Sequence, residues 1–300
     1  MISPEAGTST KPLGIHKGQH LQTHRLLLFR HVDVCKQHGE RWIISQEFYT
    51  ETLPDIAVDK NRLKMDPKTP LTPAEMSACR ATLGALQWTA TQTQLQISAR
   101  VNLLLTEPTV NKNMAVAKEL QEMIREVRQD PICLRLWQIP SIKHWQDTCV
   151  VTMADQAHAN RPQGGSTGGW ITCLGGPEQV QGKPGQLNIV GWRSWRLKRK
   201  AISTNDGEIQ SVLEGEDANF RARFMWCQLN GGAAYSEDDK LKLANGMVKY
   251  VAGILATDSK GAYDAVNKHE GPLLGLSNIR SALQAYQLRE QLRDARCRLI

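Results

Sequence analysis

Between residues 74 and 129 apolar side chains return every three or four positions. Leu83, Leu86 and Ala90, then Leu95, Val101, Leu104 and Leu105, carry this spacing, which predicts helix. Pro73 and Glu75 supply the proline and first-turn acid of a helix N-terminus. After Pro108 a second helix, Met114 to about Gln129, sets Val116, Leu120, Met123, Ile124 and Val127 on one face and stops before Pro131. From Cys133 the period shifts toward two, and strands are predicted over 148–154, 169–174 and 187–195, between Gly- and Pro-rich turns. A helix over about 206–228, a strand over 251–257 and a short helix after Gly261 follow. An amphipathic helix then runs from Leu276 to about Arg293, with Leu276, Ile279, Leu283 and Tyr286 as its apolar face. Residues 296–300 read as the beginning of a further strand.

The first 40 residues carry little pattern and read as a poorly structured arm. His16, His20 and His24 are four apart, but His16-Lys17-Gly18-Gln19-His20 lacks the glutamate of a hydrolytic zinc helix and contains a glycine. Residues 41–69 form short pieces ended by prolines, including a helical stretch over 46–53 that stops before Pro54. The expected organisation is an arm (1–40), a helical region (41–132) and an α/β region with a mixed sheet (133–300).

Bulk properties narrow the function classes. No apolar run approaches the roughly 20 residues of a membrane helix, and the N-terminus lacks a basic region followed by an apolar core. The seven cysteines are odd in number and include no Cys-x-x-Cys pair, so reduced thiols in an intracellular protein are expected. A net charge of +7 suits a polyanionic partner, or simply a solubilising surface.

Three acidic residues stand at strand and helix ends. Asp155 follows the strand 148–154, Glu208 lies early in the helix 206–228, and Asp258 follows the strand 251–257. Carboxylates delivered to one spot from adjacent strand ends and a crossing helix are what two-Mg2+ phosphodiester hydrolysis requires. Each has a structural alternative. Asp155 can close its strand before the loop 156–165, and Glu208 can complete a capping box with Asn205 at the N-cap. Asp258 can cap the helix after it. Just before the long helix, Arg193, Arg196, Lys198, Arg199 and Lys200 alternate with Trp192 and Trp195. They form either a phosphate-contacting edge with stacking aromatics or a solvated strand end.

These stretches resemble the ribonuclease H domain of copia-like retrotransposon polyproteins. In that family an Asp precedes a variable loop and Lys-Ser-Thr-Ser-Gly-Tyr; here Asp155 precedes Gly165-Ser166-Thr167-Gly168-Gly169-Trp170. The family's Ser-Ser-Thr-Glu-Ala-Glu is matched by Ser203-Thr204-Asn205-Asp206-Gly207-Glu208, and its next strand-terminal Asp by Thr257-Asp258-Ser259. Upstream, Gln46, Tyr49 and Leu53 match the end of the family's reverse transcriptase, as do Gly84-Ala85-Leu86-Gln87-Trp88; Thr93-Gln94-Leu95-Gln96-Ile97 keeps only the ends of a third motif. His31-Val32-Asp33-Val34 lies too near these motifs, and lacks the second Asp, to be the polymerase centre. A polymerase active site is therefore expected to be absent.

The resemblance implies a fragment or degenerate copy of such a polyprotein, with a reverse-transcriptase remnant before a ribonuclease-H-like domain. It implies Mg2+- or Mn2+-dependent cleavage of RNA in an RNA–DNA hybrid, with Asp155, Glu208 and Asp258 holding metal and the basic cluster tracking the backbone. The family has a fourth carboxylate after the last strand, whereas this sequence ends at Ile300 within that strand. A truncated domain with weakened activity is therefore expected. The alternatives are a catalytically inactive nucleic-acid binder and a purely structural helical protein. DNA-strand transfer or junction cleavage would use the same fold and metals.

Overall fold

The computed structural model describes residues 24–29, 32–37, 41–105, 112–231, 236, 243–268 and 279–300. Strands β1 (His24–Phe29), β2 (Val32–Gln37) and β3 (Arg41–Ser45) form an antiparallel meander, and β3 also pairs with the distant β4 (Leu134–Trp137). The register sets Asp33 against Ser45 and Arg41 against Trp137, with the Arg41 guanidinium 5.1 Å from the Trp137 ring centre. His24–Phe29 and Val32–Gln37, read from sequence as part of a poorly structured arm, are thus extended and paired. Strand formation follows from cross-strand partners that local propensity does not carry. His24 opens β1 rather than a helix, and His16 and His20 lie outside the described residues.

Helices α1 (Glu47–Glu51), α2 (Lys60–Leu63), α3 (Pro73–Gln92), α4 (Ser98–Leu104) and α5 (Met114–Gln129) build the first core. Thr72 caps α3 in a reciprocal capping box with Glu75, and Pro73 occupies the first turn where a missing N–H costs nothing. The Arg62 side chain then grips the Glu75 carboxylate at 2.7 and 2.9 Å. The apolar stripe of α5 is fully buried against Leu83 and Leu86 of α3. Each such side chain contributes about 1.5–3 kcal/mol of apolar burial. Two polar motif fragments also meet inside this unit. Thr93 donates to Gln46 at 3.0 Å, and the Gln94 amide exchanges two hydrogen bonds with the Ile132 backbone.

The second unit is a five-stranded sheet of β5 (Cys149–Arg161), β6 (Gly165–Gly175), β7 (Asn188–Arg196), β8 (Ala252–Ala256) and β9 (Cys297–Leu299). Its spatial order is β7-β6-β5-β8-β9. The first three strands are an antiparallel meander, and β8 and β9 run parallel to β5. The helices are α6 (Pro177–Val180), α7 (Thr204–Gly231), α8 (Leu243–Val248), α9 (Lys260–Asn267) and α10 (Ile279–Asp294). Helix α7 crosses the sheet because Gly215 lets it approach: a Cβ there would lie 2.8 Å from that of Ala154. Asn219 then reaches into the sheet and donates to the Val150 and Ile254 carbonyls of β5 and β8. This order and direction make the fold a ribonuclease-H-like mixed α/β domain.

Two expectations shift. The stretch 156–165 is not a loop, since β5 continues to Arg161 and turns through residues 162–164 directly into β6. On α10 the expected apolar face is turned outward, with Ile279, Leu283 and Tyr286 exposed; Leu276 lies outside the described residues. Ser281, Ala285, Leu288 and Leu292 are buried instead, because the small residues at the start of that face allow close packing on α7. The two units touch where Trp192 donates to the Ala90 carbonyl at 2.7 Å and Arg161 to Asn102. Cys79, Cys133, Cys149, Cys173, Cys227 and Cys297 are outside any disulfide, and among the described residues no helix is long and apolar enough to cross a membrane.

Candidate metal centre and basic edge

Strand register delivers two of the three carboxylates. Met153 of β5 lies opposite Ala256 of β8 in parallel pairing, so two residues further on Asp155 and Asp258 leave neighbouring strands at one level. That separation is about one strand spacing, near 5 Å. Asp155 is mid-strand, opposite Gly169 of β6, and its Oδ1 accepts from the Gln156 N–H at 2.6 Å. It therefore does not end a strand.

Glu208 comes from α7, and the cap that was its structural alternative is made by other residues. Ser203 Oγ accepts from the Asp206 N–H at 3.2 Å, and Asp206 accepts from the Ile202 N–H at 3.0 Å and from Ser281. Asp206, rather than Glu208, is the acid that ties down the first turn. At the third position Ser259, not Asp258, caps α9 by accepting from the Ala262 N–H. Both helix ends are thus satisfied without Glu208 or Asp258. One oxygen from each of Asp155, Glu208 and Asp258 lies within 4.8 Å of the others.

The electrostatics of that cluster centre on Glu208. It is only 5% exposed, whereas Asp155 and Asp258 are open to solvent. Burial raises its carboxyl to about 7, the Asp155 charge pushes the same way, a Gln156 hydrogen bond opposes, and Asp258 adds a further push. Glu208 Oε2 is buried with no hydrogen-bond partner. A buried carboxylate oxygen left unpaired is costly, and a cation among three converging carboxylates removes that cost. Hard oxygen donors of this kind suit Mg2+ or Mn2+. The donor set therefore fits a divalent ion.

Gln156, not singled out in the sequence, supports the site. It is buried between β5 and α7, its Nε2 donates to the Thr204 carbonyl at 3.3 Å, and it hydrogen-bonds Glu208. Gly207 makes the room for it, since a Cβ there would sit 2.6 Å from Gln156 Oε1. The sequence signal was the strand alternation itself, which puts a polar residue on the buried side next to Asp155.

The basic residues lie at the β7 edge. Arg196 pairs with Thr167 and Ser194 with Gly169, so this edge is two strands, about 10 Å, from the row of Asp155. Arg196, Lys198 and Lys200 line a cleft of about 510 Å³ with Gln163 and Gly165. Glu214 holds Lys198 at 3.1 Å and Arg193 at 3.9 Å, which partly neutralises those two. Arg161 below them is buried, and its pKa is lowered by burial and then by Arg196. The tryptophans differ from the stacking expectation: Trp195 is buried, and Trp192 is committed to the Ala90 carbonyl.

No protein-family model matches the chain, and no curated protein does. Among solved structures, RNase H1 from the halophilic archaeon Halobacterium salinarum NRC-1 aligns with 51% of this chain and 85% of its own, at 15% identity and TM-score 0.28. A foamy viral protease–reverse transcriptase in complex with an RNA/DNA hybrid aligns with 54% of this chain and 18% of its own, at 13% identity and TM-score 0.30. The native prototype foamy virus protease–reverse transcriptase aligns with 63% and 24%, at 12% identity and TM-score 0.29. At these scores the alignments add nothing to the strand order and register, on which the fold assignment rests.

Proposed function

We propose that this chain is a metal-dependent ribonuclease acting on the RNA strand of an RNA–DNA hybrid, derived from a copia-like retrotransposon polyprotein. The observation that carries the reading is the convergence of Asp155, Glu208 and Asp258 within 4.8 Å, at positions whose capping duties other residues perform. Asp155, Glu208 and Asp258 would hold Mg2+ or Mn2+. Bound there, the ion supplies activation of the attacking water and stabilisation of charge on the phosphate. Glu208 brings a carboxylate already stripped of water, and Gln156 orients it. Asp155 and Asp258 stay at the solvent-facing side where a phosphodiester can approach. Arg196, Arg199 and Lys200, with Arg193 and Lys198 shared with Glu214, would follow the backbone. Recognition would be by helix shape and 2′-hydroxyl rather than base sequence. The copia-like origin is supported by the ordered motifs from Gln46 to Asp258.

The test is cleavage of an end-labelled RNA–DNA hybrid with Mg2+ and with Mn2+. Cleavage is expected in the unmodified chain and a loss of at least a hundredfold in both Asp155→Asn and Glu208→Gln, as for other charge-stabilising groups, with hybrid affinity retained. Equal cleavage by the variants overturns the site. Salt-sensitive binding without cleavage would make the chain a nucleic-acid binder only.

A further inference from the structure

On the flank of α7 opposite Glu208, a second pocket opens toward the same basic edge. Positions 210 and 214 lie on the side of the helix turned away from position 208 at 100° per residue. The pocket encloses about 230 Å³ between the end of β7, α7 and α10. That is smaller than the roughly 300–1,000 Å³ of sites for drug-sized ligands, and it suits one ring system. Trp195 forms one wall, Gln210 and Gln284 project from α7 and α10, and Lys198, Arg199 and Glu214 surround it.

Two of these side chains carry unspent hydrogen-bonding capacity. Gln210 is 6% exposed, yet its Nε2 has no partner; Gln284 Oε1 is likewise buried and unpartnered. Buried polar groups are almost always satisfied, so a free donor and a free acceptor on two side chains that line one small cavity, both atoms covered while it is empty, point to a ligand that turns them toward itself. The cations narrow its chemistry. Lys198 and Leu197 are shared with the basic cleft of Arg196 and Lys200, so the pocket adjoins a phosphate-attracting groove. A nucleotide brings these features together, a planar ring with a donor and an acceptor on its edge and a phosphate beside it.

We infer that this pocket binds the base of an unpaired nucleotide while the adjoining cations hold its phosphate. The base comes from a single-stranded end of bound nucleic acid or from a free nucleoside monophosphate. Every nucleobase can offer a donor and an acceptor on its hydrogen-bonding edge, so the pocket separates a base from an abasic position rather than one base from another. The inference shares with the proposed function the nucleic-acid role of the basic edge, and it is independent of the carboxylates.

The test is fluorescence anisotropy with the full chain in EDTA, so that hydrolysis is silent. Three labelled RNA–DNA hybrids are compared: blunt, with a short single-stranded overhang, and with the same overhang made abasic. The overhang is expected to tighten binding about five- to tenfold, the scale of one accommodated base, and the abasic overhang to remove most of that gain. Gln210→Leu and Gln284→Leu should abolish the gain while leaving blunt-hybrid affinity unchanged. The abasic comparison needs no variant, so misfolding of either would not blunt the test. Adenosine or cytidine monophosphate that competes away the gain would extend the site to free nucleotides; failure to compete would restrict it to strand ends. Equal binding of intact and abasic overhangs overturns the pocket while leaving the proposed nuclease untouched. Loss of all hybrid binding overturns both.

Discussion

Glu75 and Glu208 are both buried near the start of a long helix, and they are held in opposite ways. In the helical unit Glu75 caps α3, accepts from Arg62, and has its carboxyl lowered to about 2, chiefly by that Arg62 hydrogen bond. In the sheet unit Glu208 follows a cap made by Ser203 and Asp206, finds no cation, and is raised to about 7 by burial and its acidic neighbours. One carboxylate is finished by the protein. The other keeps one oxygen without a hydrogen-bond partner. The two interiors differ in charge: apart from Glu75 the polar residues buried in the helical unit are neutral, Gln46, Thr93 and Gln94 among them, whereas α7 alone buries Asp206, Glu208, Glu216 and Arg223.

That contrast can be broken most severely at Asn219, which links β5 and β8 to the fully buried Arg223. Asn219→Leu strips Arg223 of a partner and should cost about 3–5 kcal/mol in urea unfolding. In the helical core, Leu86→Ala should cost roughly 3 kcal/mol through lost apolar burial and the cavity left behind.

Glu208→Gln should act in the opposite direction. The folded carboxyl near 7 lies above its ordinary 4.5, so its stabilising contribution is full below about 4.5 and is lost as pH rises through 7. Stability without metal should therefore fall across that window, and Glu208→Gln should recover on the order of 2 kcal/mol at pH 8. Glu216, also buried on α7 and raised to about 7 by burial, adds to the same slope. Mg2+ should restore stability through Glu208 and leave the Glu216 part unchanged, which parallel melts of Glu208→Gln and Glu216→Gln would separate. Glu75 has the reverse sign, its contribution being lost as pH falls from 4.5 toward 2. At the small end, breaking the exposed Asp264–Lys268 pair by Asp264→Ala should change stability by less than about 0.5 kcal/mol.

The main helices and the positions of the strands in the second unit were legible because periodicity and proline placement are local signals, whereas the strand order was not. Helix α5 runs from Met114 to Gln129, as its stripe predicts. Asp155 and Asp258 were legible because each follows an apolar run in the sequence, although β5 continues past Asp155 to Arg161. What local pattern could not carry was partnership. Strands β1 and β2 owe their order to cross-strand pairing, and the buried face of α10 was chosen by α7, which takes Ser281 and Ala285 and leaves Ile279 and Leu283 outside. Capping was ambiguous for a related reason: Ser203, Asn205, Asp206 and Glu208 all have cap-forming side chains, and only the fold distributes the roles.

We propose that α7 leaves one Glu208 oxygen unpaired so that a cation can complete it. Calorimetric titration of Mn2+ into the chain and into Glu208→Gln at pH 7 tests this directly. The unmodified chain should bind with release of protons from the Glu208 carboxyl, and the variant should bind at least tenfold more weakly without that release. Equal affinity and equal proton release in the two proteins would contradict it.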